Sequence, residues 1–200
     1  MALALGTPLG VLRCSSARLP RAVAEGYVAL FRGLPLLPVL AFVYFGLPKA
    51  GLGLESALAS AALGLGAYTA AFVAEAVRAG LLAVPEGQGE AARSLGLGEA
   101  QALRLVLLPQ AFRATLPPLG TVAIAMVKNS ALASAVAVPE LMYRVDEVGG
   151  RSFKTWPLLA AFGLYLLLTV PMALGVKALE RRWGPAGQGH RGGGGGHGAL

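Results

Sequence analysis

Two uncharged runs, Ser56 to Ala74 and Thr155 to Val176, constrain this chain more than anything else in it. Each is long enough to cross a bilayer as a helix, which takes about 20 apolar residues. The composition agrees: 56% of the 200 residues are hydrophobic, only 14% are charged, and the mean hydropathy is +0.64, all beyond an ordinary soluble domain. The length suits one domain of several helices. A single cysteine, Cys14, excludes an internal disulfide and reads as an ordinary thiol in a basic loop.

Two further spans need argument. Leu34 to Pro48 is apolar but short, and reaches spanning length if its helix begins near Glu25 or Tyr27 with Arg32 snorkelling to the interface. Ala114 to Val138 is long enough and holds one charge, Lys128, although Pro117-Pro118 would delay or bend its start. Orientation follows from the basic residues. The net charge of +7 does not point to nucleic acid, because lysine and arginine are spread over loops and not clustered with aromatics. Twelve of the 17 fall on one side: Arg13, Arg18, Arg21, Arg32, then Arg78, Arg93, Arg104, Arg113, then Lys177, Arg181, Arg182, Arg191. Four fall on the other, Lys49, Arg144, Arg151 and Lys154, so the first side is expected to be cytoplasmic.

The ends are irregular. Met1 to Leu12 is apolar, too short to span, and followed by positive charges, the reverse of a signal peptide. It is expected to be the tail of a first spanning helix that begins before Met1. Gly184 to Leu200 is glycine-rich, cannot bury a core, and is expected to be a disordered tail distinct from the domain at residues 1–183. Its His190 and His197 lack the further ligands a metal site needs, so no metal is expected.

Between the spans lies Glu90-Ala91-Ala92, then Gly96 after three residues, then Val106-Leu107-Leu108-Pro109 after nine more. Pro85 and Gly87 are expected to end the preceding helix, and Glu90 falls in the first turn of a new one, where a carboxylate complements the partial positive charge. Ala91 and Ala92 offer a face without bulk for close approach by another surface, and Gly96 permits the left-handed turn that stops the helix. A second run from Glu99 places Leu103, Val106 and Leu107 at helical spacing until Pro109 is expected to break it. On physics alone this helix-turn-helix either grips a soluble partner or lies on the headgroups as an amphipathic hairpin.

With these residues in view, the chain resembles the transmembrane permease subunits of binding-protein-dependent ABC importers. Their cytoplasmic signature is Glu-Ala-Ala, three residues, Gly, nine residues, then Ile or Val-x-Leu-Pro, and Glu90, Ala91, Ala92, Gly96, Val106, Leu108 and Pro109 fill every fixed place. Phe31-Arg32-Gly33-Leu34-Pro35, Tyr44-Phe45-Gly46-Leu47-Pro48, Leu108-Pro109-Gln110-Ala111 and Lys128-Asn129-Ser130 are similar to the polar amino-acid uptake subfamily. The resemblance covers roughly Gly6 to Trp183. It departs at Leu34, where the subfamily commonly has Thr, and at Gly89, where it commonly has a bulky residue; the glycine tail has no counterpart.

The resemblance implies an all-α integral membrane bundle of about five spanning helices, the first truncated here, in the cell inner membrane. It implies import of a polar amino acid, with a cytoplasmic ABC ATPase dimer gripping Glu90, Ala91, Ala92, Arg93, Gly96, Leu103, Val106, Leu108 and Pro109. An extracytoplasmic solute-binding protein would deliver substrate, and a second copy or homologous permease would complete the pathway. ATP and Mg would belong to the partner, and the chain indeed contains no G-x-x-x-x-G-K-[ST] phosphate loop. For the pathway, Lys128 would cost about 2.5–3.5 kcal/mol facing lipid, so it is expected to face the bundle interior, water or an interface. Asn129, Ser130 and Ser134 beside it either line a cavity or bond neighbouring helices. Tyr68 and Thr69 are further lining candidates, and Glu75 is expected to be a structural partner of Arg78. Two other classes compete: a non-transporting membrane scaffold, and an intramembrane hydrolase using Lys128 with Ser130 or Ser134, which lacks an oxyanion-hole motif.

Overall fold

A computed structural model describes residues 1–152 and 155–183. The glycine-rich tail with His190 and His197 lies outside the described residues, as does Lys154. Eight helical segments, and no strands, occur among the described residues: α1 (Ala2–Leu12), α2 (Arg18–Gly33), α3 (Leu36–Lys49), α4 (Ala57–Leu82), α5 (Gly87–Ser94), α6 (Glu99–Val136), α7 (Leu141–Ser152) and α8 (Trp156–Trp183). α4, α6 and α8 are long and apolar enough to cross a membrane, and α2 with α3 make a fourth candidate if the bent pair is one span.

α4 is the hub because small residues recur along its buried faces. Ser56 caps it, accepting from the Ala59 N–H at 3.1 Å, and Ser60, Gly64, Ala70, Ala74 and Gly80 are buried on successive faces. Without bulky side chains, neighbouring helices reach its backbone. α1 does so through Ala2, Gly6 and Gly10, one buried stripe at four-residue spacing. A Cβ on Gly6 would stand 2.6 Å from Val73 Cβ, and one on Gly10 2.7 Å from Val77 Cβ. On the other side α6 meets Gly80, where a Cβ would collide with the Thr115 hydroxyl. Leu36 and Leu40 of α3, Ala61 and Leu65 of α4, Ala133 and Val136 at the end of α6, and Val138 just beyond it form the principal apolar cluster.

Prolines account for the differences from the sequence-based expectation. The span expected to run from Glu25 or Tyr27 to Pro48 is not one helix: α2 and α3 meet at 106°. Pro35 excludes its predecessor from the helical region, and Leu34 is extended at φ −96°, ψ 142°. Pro109, expected to stop a helix, does not. The chain widens into a π turn over Leu103–Leu107, the Leu108 N–H bonds the Leu103 carbonyl, and the proline ring is accommodated. The same device precedes Pro48, with a π turn at Phe42–Gly46 and Leu47 N–H bonded to Phe42. Pro117 and Pro118 likewise sit inside α6 and do not delay it, so the span expected from Ala114 belongs to a continuous 38-residue run. That run ends where Ala137 turns left-handed at φ 59°.

Candidate functional site

α5, the turn after it and the first turns of α6 form a hairpin at one end of the bundle. Glu90 lies in the first turn of α5. The helix is closed by a paired cap: Gly96 N–H bonds the Arg93 carbonyl at 2.9 Å and Leu97 N–H bonds the Ala92 carbonyl at 3.2 Å, with Gly96 at φ +84°. The next helix starts two residues on, where Gly98 N–H donates to Gln101 Oε1 at 3.1 Å.

Packing divides the signature residues. Glu90, Ala91, Arg93, Leu103, Leu108 and Pro109 are exposed and Val106 is half-buried. Ala92, expected on the open face, is buried at 3% exposure together with Gly89 and Ala102. Its small side chain lets the two arms close on each other. Gly89, at the place where the resembling subfamily commonly has a bulky residue, is buried in α5, and a Cβ there would be 3.8 Å from Leu107. Between the arms and the end of α4 lies an open groove of about 400 Å³, lined by Leu81, Val84, Pro85, Glu86, Gly89, Glu90, Arg93, Leu103, Leu107, Leu108 and Ala111.

Within the helical bundle, a cavity of about 290 Å³ opens between α4 and α6. It brings together Tyr68 and Thr69 from α4 with Asn129 from α6, three of the six pathway candidates. Phe72 packs beside Tyr68 with ring centroids 5.1 Å apart. The cavity adds Thr121, which lies on one stripe of α6 with Ala125 and Asn129 at four-residue spacing. That spacing was visible in the sequence but had no partner helix to give it meaning.

The other three candidates lie elsewhere. Lys128 does not line this cavity and is exposed, with no ion-pair partner among the described residues, so it is not buried in the interior of this chain's own bundle. Ser130 and Ser134 donate to the Val127 and Ala131 carbonyls, both at 2.8 Å. Their hydroxyls serve the backbone of their own helix, and Ser130 also lines a separate, largely apolar pocket with Leu65, Met126 and Ala133. Glu75 is structural, but Arg78 is its weakest partner at 3.8 Å: Arg13 and Arg32 approach the same oxygen, Oε2, at 2.8 and 2.9 Å. This ties α1, α2 and α4 together.

Residues 2–185 match the family described as the binding-protein-dependent transport system inner membrane component. The chain belongs to that family. It is 41% identical over 181 residues to the "Probable glutamine ABC transporter permease protein GlnM" of Bacillus subtilis, covering 89% of this chain and 82% of that one. It is 37% identical to the glutamate transport system permease protein GluC of Corynebacterium efficiens, over 89% and 84% of the two chains. Among solved structures, a crystal structure of an amino acid ABC transporter with histidines superposes with a TM-score of 0.81 at 34% identity, covering 90% of this chain and 86% of that one. The protein is therefore an integral, all-α inner membrane permease subunit and not an enzyme; ATP hydrolysis resides in a separate subunit.

Proposed function

We propose that this permease forms the translocation pathway for ATP-driven import of a polar amino acid. The observation that carries the reading is the capped hairpin, a rigid exposed knob whose arms are locked by Ala92 and Gly96 and whose outer surface presents Glu90, Ala91 and Arg93. A cytoplasmic ABC ATPase dimer grips this knob, binds ATP and Mg, and drives alternating access. A solute-binding protein delivers substrate on the opposite side. This orientation, with the hairpin and the C-terminus cytoplasmic, rests on the excess of arginine and lysine in those segments. Residues 1–183 act as one transmembrane domain, and 184–200 as a tail outside it.

The amino-acid assignment draws on the relatives, whose names specify glutamine and glutamate transport, and on the polar groups of the cavity between α4 and α6. Thr69 and Asn129 offer donors and acceptors for the charged ends of such a substrate, and Thr121, whose hydroxyl donates to the Pro117 carbonyl at 3.5 Å, offers an acceptor. The exposed Lys128 supports pairing with a second copy or a homologous permease, because facing lipid would cost about 2.5–3.5 kcal/mol. Reconstitution with the ATPase and binding protein, followed by a screen of amino acids, tests the whole reading. One or a few polar amino acids are expected to raise ATP turnover and to accumulate in the vesicles. A complex that assembles yet hydrolyses ATP indifferently to every amino acid leaves the scaffold reading instead.

A further inference from the structure

The cavity between α4 and α6 is polar but holds no fixed charge. None of its eight lining residues is an aspartate, glutamate, lysine, arginine or histidine; its polar groups are the Tyr68, Thr69 and Thr121 hydroxyls and the Asn129 amide. Among the described residues no hydrogen bond engages the Tyr68, Thr69 or Asn129 side chain, whereas Thr121 donates to the Pro117 carbonyl and keeps only its acceptor. The closest ionised residues in sequence along the two helices do not serve the cavity. Lys128 is outside its lining, and Glu75, three residues beyond Phe72, is held by Arg13 and Arg32 at 2.8 and 2.9 Å. Both walls belong to helices of spanning length, and Tyr68 to Phe72 fall near the middle of α4. A charge brought here leaves water for a site without a counter-charge.

Resting on the reading of this cavity as part of the translocation pathway, we infer that it selects a substrate without net charge: an amino acid whose side chain is polar and uncharged. The ammonium and carboxylate of an amino acid sit beside each other and offset one another's fields, so the zwitterion enters at lower cost than a net charge and its ends find neutral donors and acceptors. A third charge, on the side chain, has nothing to pair with. A carboxylate only accepts and an ammonium only donates, whereas a carboxamide does both, as the Asn129 amide facing it does. Glutamine and glutamate have nearly the same shape, and relatives of this chain carry the name of each, so kinship leaves open what the cavity decides.

Equilibrium binding to the assembled permease–ATPase complex in phospholipid nanodiscs tests this, with no solute-binding protein present, so that selection upstream of the membrane is removed. Radiolabelled glutamine is expected to bind roughly tenfold or more tightly than glutamate or lysine, given what a charge costs at bilayer depth. Glutamate or lysine binding as tightly as glutamine overturns the inference. Asn129→Asp places a carboxylate in the cavity and should raise lysine affinity by roughly tenfold while weakening glutamate further. A folded N129D complex that keeps the parental order puts charge selection elsewhere and overturns the inference too. Ala125→Asp, one turn away on the same wall, carries the same expectation if N129D does not assemble with the ATPase. Uptake into vesicles with the binding protein present separates the two levels of failure. A complex that takes up amino acids there yet binds none of the three alone overturns the cavity's selection and leaves the translocation reading standing, whereas an assembled complex that neither binds nor accumulates any amino acid refutes that reading itself.

Discussion

Gly96 is the residue on which the hairpin turns. At φ +84° a β-branched side chain costs about 1–3 kcal/mol, so Gly96→Val should unwind the cap formed with Arg93 and Ala92. The expected outcome is membrane insertion at parental levels with loss of substrate-stimulated ATP hydrolysis in the reconstituted complex; undiminished stimulation would remove the hairpin from the coupling role. The turn at Gly96 was legible in the sequence because a glycine closing a short helix has few other uses. The fate of Ala92 was not. Ala91 and Ala92 are chemically identical, and which of them turns inward depends on the direction in which Gly96 returns the chain. Thr121 escaped for a related reason: it gains meaning only beside Tyr68 and Thr69, about fifty positions earlier, a pairing that no local pattern encodes.

Among the elements, the contact of α1 with α4 is the most sharply defined. Gly6→Leu would drive a side chain into Val73 and the Ala70 carbonyl, where overpacking costs about 1–3 kcal/mol. The expected result is a lower unfolding temperature in detergent, whereas Leu5→Ala, on the exposed side of the same helix, should leave it nearly unchanged. Equal effects would mean that the stripe of Ala2, Gly6 and Gly10 does not hold α1. α4 and α8 were readable from length and apolarity alone, but α7 and the treatment of proline were not. Pro35 breaks a helix, while Pro109 and Pro48 are absorbed by π turns and Pro117 and Pro118 are carried within α6. A proline removes one donor, and whether the chain bends or widens depends on what packs against that turn, which here is α4 and the hairpin's first arm.

For the whole molecule, topology is the decisive measurement. A cysteine at exposed Ala91, in a Cys14→Ser background, should react with a membrane-impermeant thiol reagent in inverted vesicles and not in intact cells. Labelling from outside would reverse the orientation and separate the hairpin from any cytoplasmic engine. The bundle also leaves α8 almost wholly exposed, with only Pro157 and Ala161 buried, and Lys128 bare on α6. Large apolar faces of this kind are what lipid or a second permease covers. Finally, the hairpin's second arm and the wall of the membrane cavity are the same backbone. α6 passes through 38 residues without a loop, and from the arm that holds Leu103 to the stripe that holds Asn129 it reaches on the order of 40 Å. Such a run would act as a lever: a tilt of about 10° at one tip would sweep the other by roughly 7 Å at this rise per residue. A push on the hairpin would then reach the cavity wall along one backbone, with no relay of intermediate side chains.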